Sequence, residues 1–211
     1  MPQRDYLRDP AAIYRQSFAT VRREAVLEHL PQAAHALAIR MIHSCGMVDL
    51  AGDIRVSDHA VEAGVGALQE GKPVLVDCEM LARGIIPSRL PAANAVICTL
   101  NESTVPQLAQ DLSTTRSAAA VDLWAEHLDG GVVAIGNAPT ALFRLLELLE
   151  KGAPHPAVIL GFPVGFVGAA ESKEELIENP FGIPYVTVRG RRGGSAIAAA
   201  AVNALAGGEA P

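Results

Sequence analysis

Thiols, lysines and long apolar runs are all scarce in this chain, and each scarcity removes a class of protein. The three cysteines, Cys45, Cys78 and Cys98, are widely spaced, odd in number and never C-x-x-C. That argues against a disulfide framework or a zinc site and for buried thiols in a reducing, cytoplasmic setting. The six histidines form no H-x-x-x-H pair, so no protein-ligated metal is expected. Lysine occurs only at Lys72, Lys151 and Lys173, none of them in a Walker A loop, which excludes the usual nucleotide hydrolases. Gly161, Gly165 and Gly168 are not spaced as G-x-G-x-x-G, so the dinucleotide fingerprint is missing as well. Ile42 stands where a nucleophile elbow around Ser44 needs its first glycine. The uncharged stretch from Pro154 to Ala170 is broken by three prolines and three glycines and is too short to span a bilayer comfortably. The start, Met1 to Tyr6, lacks the apolar run of a signal peptide. A soluble protein is expected, with no membrane partner. The net charge of −6 argues against nucleic acid as a partner, because phosphate binding wants a basic field.

What is present is enough for one folded domain over residues 1–211. Half the residues are hydrophobic, and 14 of the 17 basic residues are arginine, a bias that suits bidentate carboxylate recognition. Asp9-Pro10 reads as a helix start, a capping carboxylate followed by proline at the first helical position. The helix is expected to run to about Leu30, with Tyr14, Phe18, Val21 and Ala25 on its core face and Ser17 on the flank. Pro31 opens a second helix that ends at Gly46, and a third follows Ser57 and closes at Gly71.

After Gly71 the pattern changes. Short apolar runs at 73–77, 95–98, 132–135, 157–160 and 185–188 are each followed by a helical pattern. This alternation predicts an α/β fold, a flavodoxin-like doubly wound sheet of five parallel strands with helices on both faces. The N-terminal helices form an extension to it. In such a sheet the ligand site lies at the carboxyl ends of the strands. Those ends carry Asp77-Cys78-Glu79, Gly136-Asn137-Ala138, Gly161-Phe162-Pro163 and Arg189-Gly190-Arg191-Arg192.

The second helix carries the most informative group. Arg40 and His43, three apart, share the polar stripe of a helix that is otherwise apolar. That stripe faces water, a partner or a cavity. Arg116, at the start of an alanine-rich helix, is either a salt-bridge partner or an anion contact, and the arginines from Arg189 to Arg192 are either a solvated loop or a basic turn. Glu171-Ser172-Lys173 reads by default as a solvated helix start. The residues alone support an α/β enzyme that takes a polycarboxylate ligand and uses a histidine acid.

Several strings resemble a known family. They are Tyr14-Arg15-Gln16-Ser17-Phe18, Arg40-Met41-Ile42-His43-Ser44-Cys45-Gly46 and Thr115-Arg116-Ser117-Ala118. With them go Gly136-Asn137-Ala138-Pro139-Thr140, the long run from Leu160 through Gly161 to Lys173, and Val188-Arg189-Gly190-Arg191-Arg192-Gly193-Gly194-Ser195. Together they resemble the precorrin-8X methylmutases of cobalamin biosynthesis over nearly the whole chain. The resemblance implies a homodimeric, cofactor-free isomerase that moves a methyl group from C-11 to C-12, converting precorrin-8X to hydrogenobyrinate. It implies His43 as the acid/base group and Ser17 and Arg40 as substrate contacts, with Tyr14, Arg116, Gly161, Lys173, Arg189 and Arg192 as further substrate-binding candidates. The cobalt-precorrin-8 methylmutases of the cobalt-containing branch, a non-catalytic corrinoid carrier and a plain flavin or nucleotide domain are the competing readings. Two positions depart from the family pattern: Ser44 where alanine is expected, and Ala93 where glycine is expected.

Overall fold

The computed structural model describes residues 4–207; Met1–Gln3, the first part of the N-terminal stretch considered above, lie outside it. Helix α1 (Pro10–Glu24) begins as expected, with the Ala11 amide donating to the Asp9 carboxylate at 3.0 Å. It stops at Glu24 rather than near Leu30, because Ala25 turns extended and the chain is then tethered through buried Leu27 and Leu30. Pro31 leads through a 3₁₀ turn (Gln32–Ala34) into α2 (His35–Cys45), and Gly46 closes α2 in the left-handed conformation, φ 71°.

A second 3₁₀ helix (Val48–Asp53) leads into β1 (Ile54–Val56), then α3 (Ala60–Gln69), β2 (Val74–Val76), α4 (Glu79–Gly84) and β3 (Val96–Ile97). The chain continues through α5 (Val105–Asp111), α6 (Arg116–Val121), β4 (Val132–Ile135), α7 (Pro139–Glu150) and β5 (Val158–Gly161). It ends with α8 (Ala169–Ile177), β6 (Tyr185–Val188) and α9 (Ser195–Leu205). All five expected strands are present.

The sheet has six strands rather than five, in the order β1-β6-β5-β4-β2-β3. The added strand is β1, which pairs antiparallel with β6, Ile54 opposite Val188 and Val56 opposite Val186. Its three residues carry Arg55 at the centre, so no apolar run marks it; pairing with the exposed edge of β6 makes it a strand. The remaining neighbours are all parallel.

Alternate strand residues feed two cores, one on each face. Val74, Val132, Ala134, Val158, Leu160 and Val186 pack with α1, α2, α3 and α9. Leu75, Val133, Ile135 and Ile159 pack with Leu142, Leu145 and Leu149 of α7 and with Leu176 of α8. Because Ile54 starts opposite Val188, the segment from Gly46 to Asp53 lies at the carboxyl end of β6. The end of α2 that carries His43 is thereby brought to the edge of the sheet where the strand-end loops gather.

Candidate active site

His43 lies near the end of α2 and faces α1. Its Nδ1 is 2.7 Å from the Ser17 hydroxyl, and its ring is held between Tyr14 (centroids 5.3 Å, tilted) and Phe18 (5.0 Å, edge-on). Tyr14, Ser17, Phe18 and Val21 recur at helical spacing, so α1 presents all of them on the face that meets α2. Among the described residues nothing bonds to Nε2, which leaves that nitrogen for a ligand. When the Ser17 hydroxyl donates to Nδ1, the ring proton sits on Nε2; when the ring is charged, Nδ1 donates to Ser17 and Nε2 still holds a proton. Burial first, and then the nearby Arg40 charge, hold the imidazolium below its ordinary range.

His43 and Ser17 line a cleft of about 470 Å³ between α1, α2 and the segment after Gly46. Ile13, Val21, Ile42 and Val48 make its walls largely apolar, and Gln16, Thr20 and Glu24 supply further polar groups. Arg40 sits beside the cleft instead of in its lining. It is only 7% exposed, with its guanidinium 5.6 Å from the centre of the Phe18 ring. Burial and the neighbouring Arg89 charge lower its pKa.

The other candidates lie elsewhere around the strand ends. Arg116 is exposed and donates to the Leu100 carbonyl and to Asn101. Arg189 pairs with Glu174 at 3.1 Å. Gly161 is buried in β5, and a Cβ there would meet Leu176 Cδ2 at 2.5 Å, so any larger residue would make that leucine of α8 shift. Lys173 is fully buried and donates through Nζ to the Arg192 carbonyl at 2.7 Å. The Arg192 guanidinium in turn reaches Asp49 at 2.7 Å and Asp53.

Two features escaped the sequence. Phe18, seen there only as a core residue, sits between Arg40 and His43. Asp77 receives the amides of Gly136, Asn137 and Ala138 at 2.8–2.9 Å and so fixes the loop between β4 and α7; burial pushes its carboxyl up against the pull of those amides. No group of three or more His, Cys, Asp or Glu among the described residues is placed to hold a metal ion. No helix among them is long and apolar enough to cross a membrane. The arrangement offers one proton at one nitrogen, in a largely apolar cleft with a single buried cation, Arg40, beside it.

The family model for precorrin-8X methylmutase matches residues 12–207. A precorrin-8X methylmutase of Pseudomonas aeruginosa is 64% identical over 202 residues, covering 96% of this chain and 97% of its own. Another, of a Sinorhizobium species, is 55% identical over 206 residues and covers 98% of both chains. A crystal structure of precorrin-8X methylmutase from Thermus thermophilus matches the fold with a TM-score of 0.84 at 40% identity, covering 92% of this chain and 94% of its own.

Proposed function

The chain belongs to the precorrin-8X methylmutase family, and from that premise we propose how its own residues move the methyl group. It is an isomerase of cobalamin biosynthesis, an intramolecular transferase acting on corrinoid intermediates. The family reaction converts precorrin-8X to hydrogenobyrinate: the bond from the methyl carbon to C-11 breaks and the bond to C-12 forms. Oxidation state does not change, so the reaction calls for no hydride carrier and no nucleotide.

His43 is the acid. As imidazolium its Nε2–H donates a proton, and as neutral imidazole a strong hydrogen bond, to a ring nitrogen near the migrating methyl. This draws electron density from the conjugated system and lowers the barrier to migration; the proton returns to Nε2 once the methyl has moved. Help of this kind is typically worth ~10²–10⁴-fold in rate. Ser17 fixes the tautomer, while Tyr14 and Phe18 fix the plane of the ring. Arg40 holds a peripheral carboxylate so that one ring nitrogen faces His43 and its neighbours do not. Arg116 and Arg189 are further carboxylate partners. The observation that carries this reading is the 2.7 Å Ser17–His43 pair in the wall of an apolar cleft.

A cleft of about 470 Å³ accommodates one edge of a macrocycle, which supports completion of the site by a second copy of the chain. Phe166 and Val167 stand 85% and 88% exposed at the strand-end edge and suit the same homodimer. The order of the five parallel strands supports a flavodoxin-like reading of the sheet, and the match over residues 12–207 supports a single domain. Three unpaired thiols fit a cytoplasmic setting. The metal-free substrate is favoured over cobalt-precorrin-8 by the names of the relatives at 64% and 55% identity.

His43→Asn tests the acid role. The variant should bind hydrogenobyrinate, read from its visible spectrum, and lose most conversion of precorrin-8X. Near wild-type turnover by that variant rules His43 out as the acid.

A further inference from the structure

The run ending in Ala169-Ala170-Glu171-Ser172-Lys173 is the most specific string in the sequence, and the His43 chemistry makes no use of its last residue. Lys173 projects from α8 into a fully buried position and donates a hydrogen bond through Nζ to the backbone carbonyl of Arg192 at 2.7 Å. Burying an ammonium is costly, and a carbonyl together with the nearby Asp53 and Glu174 carboxylates compensates it. The carbonyl so held belongs to the residue whose guanidinium reaches across to Asp49 and Asp53. The Arg189 amide meets the Asp53 carbonyl at 2.9 Å, so the two segments are joined by backbone as well.

The loop cannot relax inward. A Cβ at Gly193 would lie 2.3 Å from the Phe162 carbonyl oxygen, and the Gly194 amide already donates to that carbonyl at 2.8 Å. The Arg189–Gly194 loop is therefore a fixed anchor. What it anchors is the 3₁₀ helix Val48–Asp53, which follows directly on the Gly46 cap of α2. Gly46 and Val48 are part of the His43 cleft.

We propose that Lys173, Arg192 and Asp53 form a latch that positions the Gly46–Val48 wall of the cleft against His43. Lys173 and Arg192 then serve the reaction as positioning residues, through the wall they hold, and not as carboxylate ligands of the substrate. The inference rests on His43 being the acid of that cleft. Its signature is a loss in kcat with little loss in affinity, since a displaced wall misaligns the ring nitrogen without removing a binding charge.

The test is a double-mutant cycle between Arg192→Ala and Asp53→Asn, with Lys173→Met alongside. Conversion of precorrin-8X and affinity for hydrogenobyrinate are both measured. Each single variant should lose roughly 10-fold or more in kcat, because misplacement by ~1 Å can cost ~100-fold. Product affinity should stay close to that of the wild type, and the Arg192→Ala/Asp53→Asn pair should be no slower than its slower single. Asp53→Asn is isosteric, so the cycle stands even if Lys173→Met does not fold. Additive losses, a wild-type kcat for Asp53→Asn, or an Arg192→Ala defect confined to product affinity would each overturn the latch. An active His43→Asn would instead overturn the acid assignment, whatever the cycle gives.

Discussion

The Ser17 hydroxyl and His43 Nδ1 lie 2.7 Å apart, although 26 residues separate them in the chain. Ser17→Ala removes the group that selects the tautomer and leaves the ring held by Tyr14 and Phe18. One hydrogen bond of this kind is worth about 0.5–1.5 kcal/mol, so kcat should fall roughly three- to tenfold. Nitrogen NMR of the imidazole should show a rising share of the Nδ1–H tautomer. An unchanged tautomer ratio would remove Ser17 from this role.

His43 titrates below its ordinary value of 6.5 because it is buried and because Arg40 is close. In the ligand-free protein the midpoint of its titration, followed by proton NMR, should therefore lie below that value. Arg40→Gln takes away the neighbouring cation and should move the midpoint upward. A midpoint that stays put or falls contradicts the coupling between the two residues.

Lys173 is pushed down from 10.5 to about 8 by its burial. Between those two values the unfolded chain binds the proton and the folded chain releases it. Stability on this account rises with pH across the window from 8 to 10.5, and below it the penalty of burying the charge is carried in full. Lys173→Met should flatten that rise. Urea unfolding of both proteins at pH 8 and at higher pH gives the comparison, and equal slopes would refute it.

Ala93 adopts φ 50° where the family pattern leads one to expect glycine. A left-handed alanine costs about 1–2 kcal/mol, part of which a glycine returns as unfolded-state entropy. Ala93→Gly should therefore stabilise the protein by about 0.5–1 kcal/mol, seen as a rise of a few degrees in Tm. A lower Tm would mean that the loop around Asn94 depends on the alanine methyl.

The sequence reveals whatever depends on neighbours along the chain. Asp9-Pro10 starts a helix and Gly46 ends one because caps act within a turn, and five buried strands show as apolar runs because both their faces are covered. Contacts across the fold leave weaker traces. Ser17 looks like a tolerated flank residue until α2 is laid against α1, although its position three residues after Tyr14 already puts it on the face that does the packing. Arg40 and His43 look like one stripe, yet the structure buries Arg40 against Phe18 and leaves His43 in the cleft wall. Arg192 looks like a free basic turn because its partners, Asp49 and Asp53, lie about 140 residues earlier in the chain. Strand β1 left no trace at all, since a charged three-residue segment becomes a strand only where another strand offers its edge.

That edge strand has a consequence for the protein in a crowded solution. A sheet left open at β6 would present bare amides and carbonyls to any passing extended chain, the usual route to aggregation. Three residues of β1 cover β6, and the Arg55 guanidinium folds back onto the carbonyls of Gly52 and Ile54 at 2.9 and 2.8 Å. The outermost strand thus places a charged group over two of the carbonyls at this edge. The short segment that leads away from α2 covers this edge of the sheet against templated self-association.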